Sequence, residues 1–185
     1  RQRDKTATNV IGYFHQNIFR YFPNCVVPRE GWDVIVTQKD GTKIYVEMKN
    51  KHNTMNAASS QKTYIQMQNQ IMQTPNDFCF LVEAIAPCSR NIPWGCSVNK
   101  IHCEHAHIRR VSMDQFYAIV TGETTAFFEM CMQLPKTIEK IVRQNRNLTV
   151  QKDTVLEELQ QMHPDLQIAL YQLAFATYDG FSLLK

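Results

Sequence analysis

Apolar and polar positions change period several times along the chain, and each change marks an element. In residues 6–21 the side chains Val10, Ile11, Tyr13, Phe14, Ile18 and Phe19, with Phe22 just beyond, recur at helical spacing and give one wide apolar face. Pro23 and Asn24 stop that helix. Residues 32–38 then alternate, with Trp32, Val34 and Val36 on one side and Asp33, Ile35 and Thr37 on the other. Lys39-Asp40-Gly41-Thr42 is a turn signal, because an Asp-Gly pair tolerates positive φ. Residues 43–49 alternate again, Ile44, Val46 and Met48 opposite Tyr45, Glu47 and Lys49. The pattern predicts a β-hairpin that carries Glu47 and Lys49 on the same face of its second strand.

Residues 50–57 are polar and have no helical period. Ser59 or Ser60 then caps a helix to about Gln73, with Tyr64, Ile65, Met67, Ile71 and Met72 apolar and an amide-rich opposite side. Thr74-Pro75-Asn76 ends it, and residues 77–85 are the near-continuous apolar run of a buried central strand. Between residues 87 and 110 the signal is weaker: Pro93-Trp94-Gly95 reads as a loop, and residues 97–110 as one or two short strands. Ser112 with Gln115 resembles a capping box for a helix through about Val120, broken by Thr121-Gly122. The remainder reads as helices over residues 124–145 (interrupted at Pro135), 154–162 and 165–178. This order predicts one α/β (α+β) domain over residues 1–185, a small mixed sheet flanked by helices. Its core spans about residues 6–120, and a helical C-terminal part about residues 124–185.

A chain of 185 residues can bury one sizeable core. No apolar run approaches the roughly 20 residues that span a bilayer, and no signal peptide is visible, so a cytoplasmic protein is expected. Six cysteines without a CxxC pair then read as reduced thiols. The net charge of +3 carries little by itself, but its distribution does: no acid occurs between Glu47 and Asp77, while Lys49, Lys51, His52 and Lys62 fall there. A cationic segment directly after a carboxylate suits a polyanion, although a solvated basic face has the same composition.

The hairpin supplies the chemistry that such a polyanion would need. Hydrolysis of a phosphodiester requires a deprotonated water and stabilisation of charge on the phosphate and the leaving oxygen. A hard divalent cation such as Mg²⁺ serves both, held by oxygen ligands. Asp33 and Glu47 offer carboxylates from neighbouring strands, and the Met48 backbone carbonyl is a further ligand if the strand end is splayed. Lys49 would touch the attacking water or a phosphate oxygen. The same residue types also occur on solvated strand faces, and the bare pattern is common. Trp32 is expected only to pack.

Asp33 followed across the hairpin by Glu47-Met48-Lys49 resembles the signature of the PD-(D/E)XK nuclease superfamily. More narrowly, IYVEMKNKHNTMNAASSQKTYIQMQNQI (residues 44–71), NIPWG (residues 91–95) and HIRRVSMDQFYAIVTG (residues 107–122) resemble the type II restriction endonuclease family whose members recognise GGNCC. The likeness covers about residues 10–134. It implies a restriction-endonuclease-like core and a Mg²⁺-dependent endonuclease that cuts double-stranded DNA as a homodimer, paired functionally with a cognate DNA methyltransferase. By position, Asp33 and Glu47 would be the metal ligands and Lys49 the catalytic lysine. Gly31-Trp32 stand where the superfamily often has Pro before Asp, and residues 6–21 lack the acid that some relatives use on the first helix.

For DNA contacts the candidates are Lys51, His52, Asn53, Asn56, Ser60, Gln61 and Lys62, with Arg109 and Arg110 as a second group. Amides in such places also cap helices or face water. Cys88, Cys96, Cys103, His105 and His107 include zinc ligand types, but their spacing fits no usual structural zinc pattern, so they read as surface or core residues. The competing functions are a repair or junction-resolving nuclease of the same superfamily, a catalytically inactive DNA-binding module, and a zinc-stabilised interaction domain. Residues 166–175 in the helical C-terminal part are the expected dimer surface.

Overall fold

The alternation around the Asp-Gly turn builds the expected hairpin. In the computed structural model, which describes Phe14, residues 16–52 and 55–144, Gln161 and residues 164–165, strand β2 (Val34–Thr37) runs antiparallel to β3 (Lys43–Lys51). Gly41 turns the chain at φ +87°, and the Asp40 carboxylate accepts the Thr42 amide at 2.9 Å. The second strand does not end at Lys49. It continues to Lys51 because β4 (Phe78–Ile85) lies parallel beside it, Lys51 pairing with Ile85 and the His52 amide donating to the Ile85 carbonyl at 3.0 Å. Residues 50–51, which read as loop, are thus the end of a central strand, fixed by long-range pairing rather than local pattern.

The six-stranded sheet has the order β1-β2-β3-β4-β8-β5, with β1 at Cys25–Val26, β5 at Asn91–Pro93 and β8 at Ile108–Ser112. β3, β4 and β8 are parallel, and the outer strands are antiparallel to their neighbours. A mixed sheet flanked by helices is the architecture that the element order predicts. β5 was not legible as a strand: Pro93 closes it at the sheet edge, where a missing N–H costs no ladder bond. The region after it forms a separate hairpin, β6 (Cys96–Val98) with β7 (Ile101–Cys103), turned by Asn99 and Lys100, both at positive φ.

Helices cover both faces. Helix α1 (Ala57–Gln73) crosses from β3 to β4 and buries Tyr64, Met67 and Ile71 against Cys79, Leu81, Ile108 and Trp94; Ile65 and Met72, read as apolar-face positions, are exposed. Its cap is Asn56, not Ser59 or Ser60. Asn56 has extended φ/ψ, and its side-chain oxygen accepts the Ser59 amide at 2.8 Å.

On the opposite face α2 (Met113–Thr121) and α3 (Ala126–Gln144) pack over Val34, Val36, Ile44, Val46, Phe80, Val82 and Val111. Ser112 occupies the cap position of α2 but forms no capping box, since its hydroxyl serves Arg90 and Asp114 instead. The break expected at Pro135 is absent, and α3 runs through it. One proline removes one N–H, a local loss that a helix already docked through Phe127, Met130 and Cys131 survives. Of the first helix, Phe14 and residues 16–18 are helical and Phe19–Tyr21 close it as a 3₁₀ turn, with Phe19 fully buried between Phe22, Phe116 and Tyr117. The rest of that helix and, apart from Gln161, Pro164 and Asp165, the helices read over residues 154–178 lie outside the described residues. No helix among the described residues is long and apolar enough to cross a membrane.

Candidate active site

The sheet face covered by α1 is only partly covered. Near the start of β3 that face holds Tyr45 under the helix. Toward the end of the strand the same face presents Glu47, Lys49 and Lys51, beside the N-terminus of α1.

Asp33 stands one residue ahead of β2. Its amide donates to the Val46 carbonyl at 2.9 Å, and its carboxylate accepts the Met48 amide at 2.7 Å, taking the place of the next strand residue. Backbone groups of one strand residue point to the same side, so the Met48 carbonyl also points to the side of β2, just past where that strand begins. Gln16 donates to the Asp33 carbonyl at 3.3 Å, fastening the loop to the first helix. Trp32, one residue earlier, leaves the Val34 and Val36 side on which alternation placed it. It packs against Tyr45 (ring centroids 5.6 Å) on the α1 face, because the strand has not yet begun.

The period-two expectation for Glu47 and Lys49 holds. Lys49 Nζ lies 2.6 Å from Glu47 Oε1, with both side chains partly buried. Burial pushes the Asp33 carboxyl above its ordinary range; the Met48 amide opposes that rise, the Glu47 charge adds to it and Lys49 opposes it. Asp33, Glu47 and Lys49 therefore feel one another's charge.

Oxygen ligands are available here and no soft ones. Two carboxylates and the Met48 carbonyl match the preference of a hard divalent cation such as Mg²⁺. A cation would also offset the repulsion between Asp33 and Glu47 and the burial that disfavours the Asp33 charge. Among the described residues no group of three or more His, Cys, Asp and Glu side chains is arranged to hold a metal. The same holds for the cysteine–histidine segment. Cys96 and Cys103 face each other across the β6–β7 hairpin as free thiols, His107 stacks on Phe78, and His105 contacts His107 edge-on.

Beyond Lys49 a small pocket of about 80 Å³ is lined by Lys49, Lys51, Ser60, Glu83, Trp94 and Arg110. Three of the DNA-contact candidates, Lys51, Ser60 and Arg110, thus share one pocket with the catalytic candidate Lys49. Gln61 and Lys62 lie on the first turns of α1, half-buried and exposed respectively, and Asn56 is engaged as the cap. His52 closes onto the Ile85 carbonyl, Nδ1 at 3.2 Å. Arg109 points elsewhere, its guanidinium bonded to Asn91 Oδ1 (2.5 Å), Asn91 O (2.6 Å) and Ala106 O (3.2 Å). Asn53 lies outside the described residues.

Sequence reasoning passed over Glu83 and Arg90. Glu83 is 2% exposed, pairs in register with Lys49, and takes both Arg90 and Arg110 on its carboxylate. The signal for it was present: Glu83 is the one charge in the apolar run FCFLVEAI.

A family model described as the Eco47II restriction endonuclease matches residues 1–143. Among curated proteins, the type II restriction enzyme Sau96I of Staphylococcus aureus is 30% identical over 154 residues, covering 79% of this chain and 59% of that protein. The type II restriction enzyme Eco47II of Escherichia coli is 28% identical over 158 residues, covering 77% of this chain and 63% of that protein. The chain thus spans about three fifths of the length of these relatives. No solved structure matches it. With most of its length matched by the family model, and with the Asp33, Glu47 and Lys49 hairpin inside the matched residues, the chain belongs to the Eco47II restriction endonuclease family.

Proposed function

We propose that this protein is a type II restriction endonuclease, hydrolysing phosphodiester bonds of double-stranded DNA at a GGNCC-like site with Mg²⁺. The observation that carries the reading is the meeting of Asp33, Glu47 and Lys49 at the end of the hairpin, with lysines and not acids on the strand and helix that follow. Family membership and the likeness to two type II restriction enzymes support it.

Asp33, Glu47 and the Met48 carbonyl would hold the cation, which supplies Lewis acidity at the phosphate and lowers the pKa of a bound water. The chain's own residues do the rest. Asp33 is fixed by the Met48 amide, which holds one of its carboxylate oxygens and leaves the other as a ligand. Lys49, held against Glu47, is positioned to donate to the attacking water or to a non-bridging phosphate oxygen. Lys51, Ser60 and Arg110 extend the site along a DNA strand, and Gln61 and Lys62 lie one step further. Asn53 remains a candidate contact, and Arg109 joins the interface only if its bonds to Asn91 and Ala106 are released. Two copies, each cutting one strand, form the working enzyme, with residues 166–175 as the assembly surface. The protein acts in the cytoplasm beside a cognate methyltransferase that protects host DNA.

The test is direct. Plasmid DNA incubated with the protein and Mg²⁺ gives discrete fragments; EDTA, Glu47→Ala and Lys49→Ala each abolish them. A smear would mean a non-specific nuclease of the same superfamily. Retarded but uncut DNA would mean a binding module and would sink the catalytic reading.

A further inference from the structure

The buried polar residues of the described core are Glu83, Ser112 and Asp114, and all three gather at one end of the sheet, beside Lys49. An apolar core gains nothing from a buried carboxylate there, and a buried charge is retained at a cost. Something at that end of the sheet requires it.

Glu83 holds two arginines. Arg110 Nε donates to Oε1 at 2.8 Å, and Arg110 Nη2 bonds the same oxygen. Arg90 Nη2 donates to Oε2 at 2.5 Å. Glu83 is shared between the two guanidinium groups, so it does not by itself neutralise both. Arg90 is itself anchored: its amide donates to Ser112 Oγ at 2.9 Å, and Ser112 Oγ donates to Asp114 Oδ1 at 2.5 Å. Arg90 is therefore tied down from both sides, and Glu83 is held by it. Arg110, by contrast, lines the pocket that contains Lys49, Lys51 and Ser60, and its Nη1 makes no hydrogen bond among the described residues. The first turn of α1, which brings Ser60 to this pocket, has no acid to complement the positive end of the helix.

The geometry points to Arg110 as a contact to a DNA backbone phosphate beside the one being cut, with Glu83 as the residue that positions it. This rests on the proposed nuclease reading and deepens it. Glu83 occupies one edge of the guanidinium and leaves the Nη1 side for a non-bridging phosphate oxygen, an arrangement suited to planar, charge-assisted recognition. β8 lies two strand spacings from β3, about 10 Å, so Arg110 addresses a neighbouring phosphate rather than the reacting one. A phosphate contact positions the duplex and does not read its bases.

The test measures binding in EDTA of two labelled duplexes of equal length, one with and one without GGNCC, over a range of salt, for the wild type, Arg110→Gln, Glu83→Gln and the double variant. Thermal melting checks the fold. Arg110→Gln is expected to weaken both duplexes alike, by about tenfold or more, and to lower the slope of log K against log salt by about one. Glu83→Gln should lower the slope in the same way, and the double variant should bind no worse than Arg110→Gln. A Glu83 that only supports the fold would lower the melting temperature and leave the slope alone, which overturns its positioning role. An unchanged slope in folded Arg110→Gln overturns the phosphate contact, and a loss confined to the GGNCC duplex makes Arg110 a base reader, overturning it equally. Should Arg110→Gln not fold, Arg110→Lys decides: it should keep the slope and bind several-fold more weakly, and undiminished affinity overturns the proposal. A wild type that neither binds nor cuts DNA removes the nuclease reading itself, an outcome distinct from any seen only in the variants.

Discussion

The two faces of β3 show how one strand divides its labour. On one face Ile44, Val46 and Met48 join a continuous apolar core under α2 and α3, which extends through Phe80, Val82, Val111 and Phe116. On the other, Tyr45 packs under α1, and then Glu47, Lys49 and Lys51 follow where the helix no longer covers the sheet. The same period-two backbone serves both. Polar residues sit where burial runs out, and the apolar face opposite holds them in place. Substitutions should therefore separate cleanly: on the apolar face they unfold, on the other they disarm.

The sharpest test of that division is at the site. If the proposed roles hold, Glu47→Ala and Lys49→Ala should each lower DNA cleavage by about a thousandfold or more, since each removes a group proposed to act at the developing charge. Their melting temperatures should stay close to that of the wild type. Asp33→Asn should be equally inactive, yet in EDTA it should melt no lower than the wild type. It removes a partly buried charge beside a second carboxylate while keeping an acceptor for the Met48 amide. A large drop in melting temperature for any of the three would mean that this end of the face also carries the fold.

Across the sheet the expected loss is of the other kind. Phe116 is fully buried and packs tilted against Phe19, with 4.8 Å between ring centroids. Phe116→Ala should cost about 3–5 kcal/mol of stability, read by denaturant unfolding. Residual folded protein should still cleave.

Why the hairpin was legible and the pocket behind it was not follows from the same contrast. Alternation, an Asp-Gly turn and an Asp33 to Lys49 pattern are local, and each can be read along the chain. The Glu83 triad is assembled from β4, the loop at Arg90 and β8, which only tertiary pairing brings together. Local rules misplaced the boundaries for the same reason. Lys51 belongs to β3 because β4 is parallel to it, and Ser112 is not a capping side chain because Arg90 and Asp114 claim its hydroxyl. β5 holds only Asn91, Ile92 and Pro93, too short for a period, and exists because β8 offers an edge.

The apolar regions also set a pH limit. Burial pushes the Cys25 thiol up to about 11 and the Cys79 thiol up to about 12, both from 9.0. A raised pKa in the folded state means that stability is fully present below 9.0 and is lost as pH rises toward the folded values. Each thiol should then cost about 1.4 kcal/mol per pH unit above 9. Urea unfolding at pH 8 and pH 10 reads the difference, and Cys79→Ala should flatten it. A Cys79→Ala slope equal to that of the wild type would show that this thiol is not shielded.

The smallest expected effect falls where the two regions meet, at Asn56. Its side chain caps α1 through the Ser59 amide at 2.8 Å, but it also lies just beyond the active strand, where a DNA contact is expected. Asn56→Ala should cost about 1 kcal/mol through loss of the cap, and by itself that result would not tell the two roles apart. Asn56→Asp does. Aspartate caps as well as asparagine and suits the helix N-terminus, so stability should hold or rise slightly. Near a phosphate, however, the new charge repels the substrate. Retained melting temperature with weaker duplex binding would show that Asn56 both caps α1 and faces DNA. Retained melting temperature with unchanged binding would confine it to the cap and place the boundary between folding and chemistry on the β3 side of Asn56.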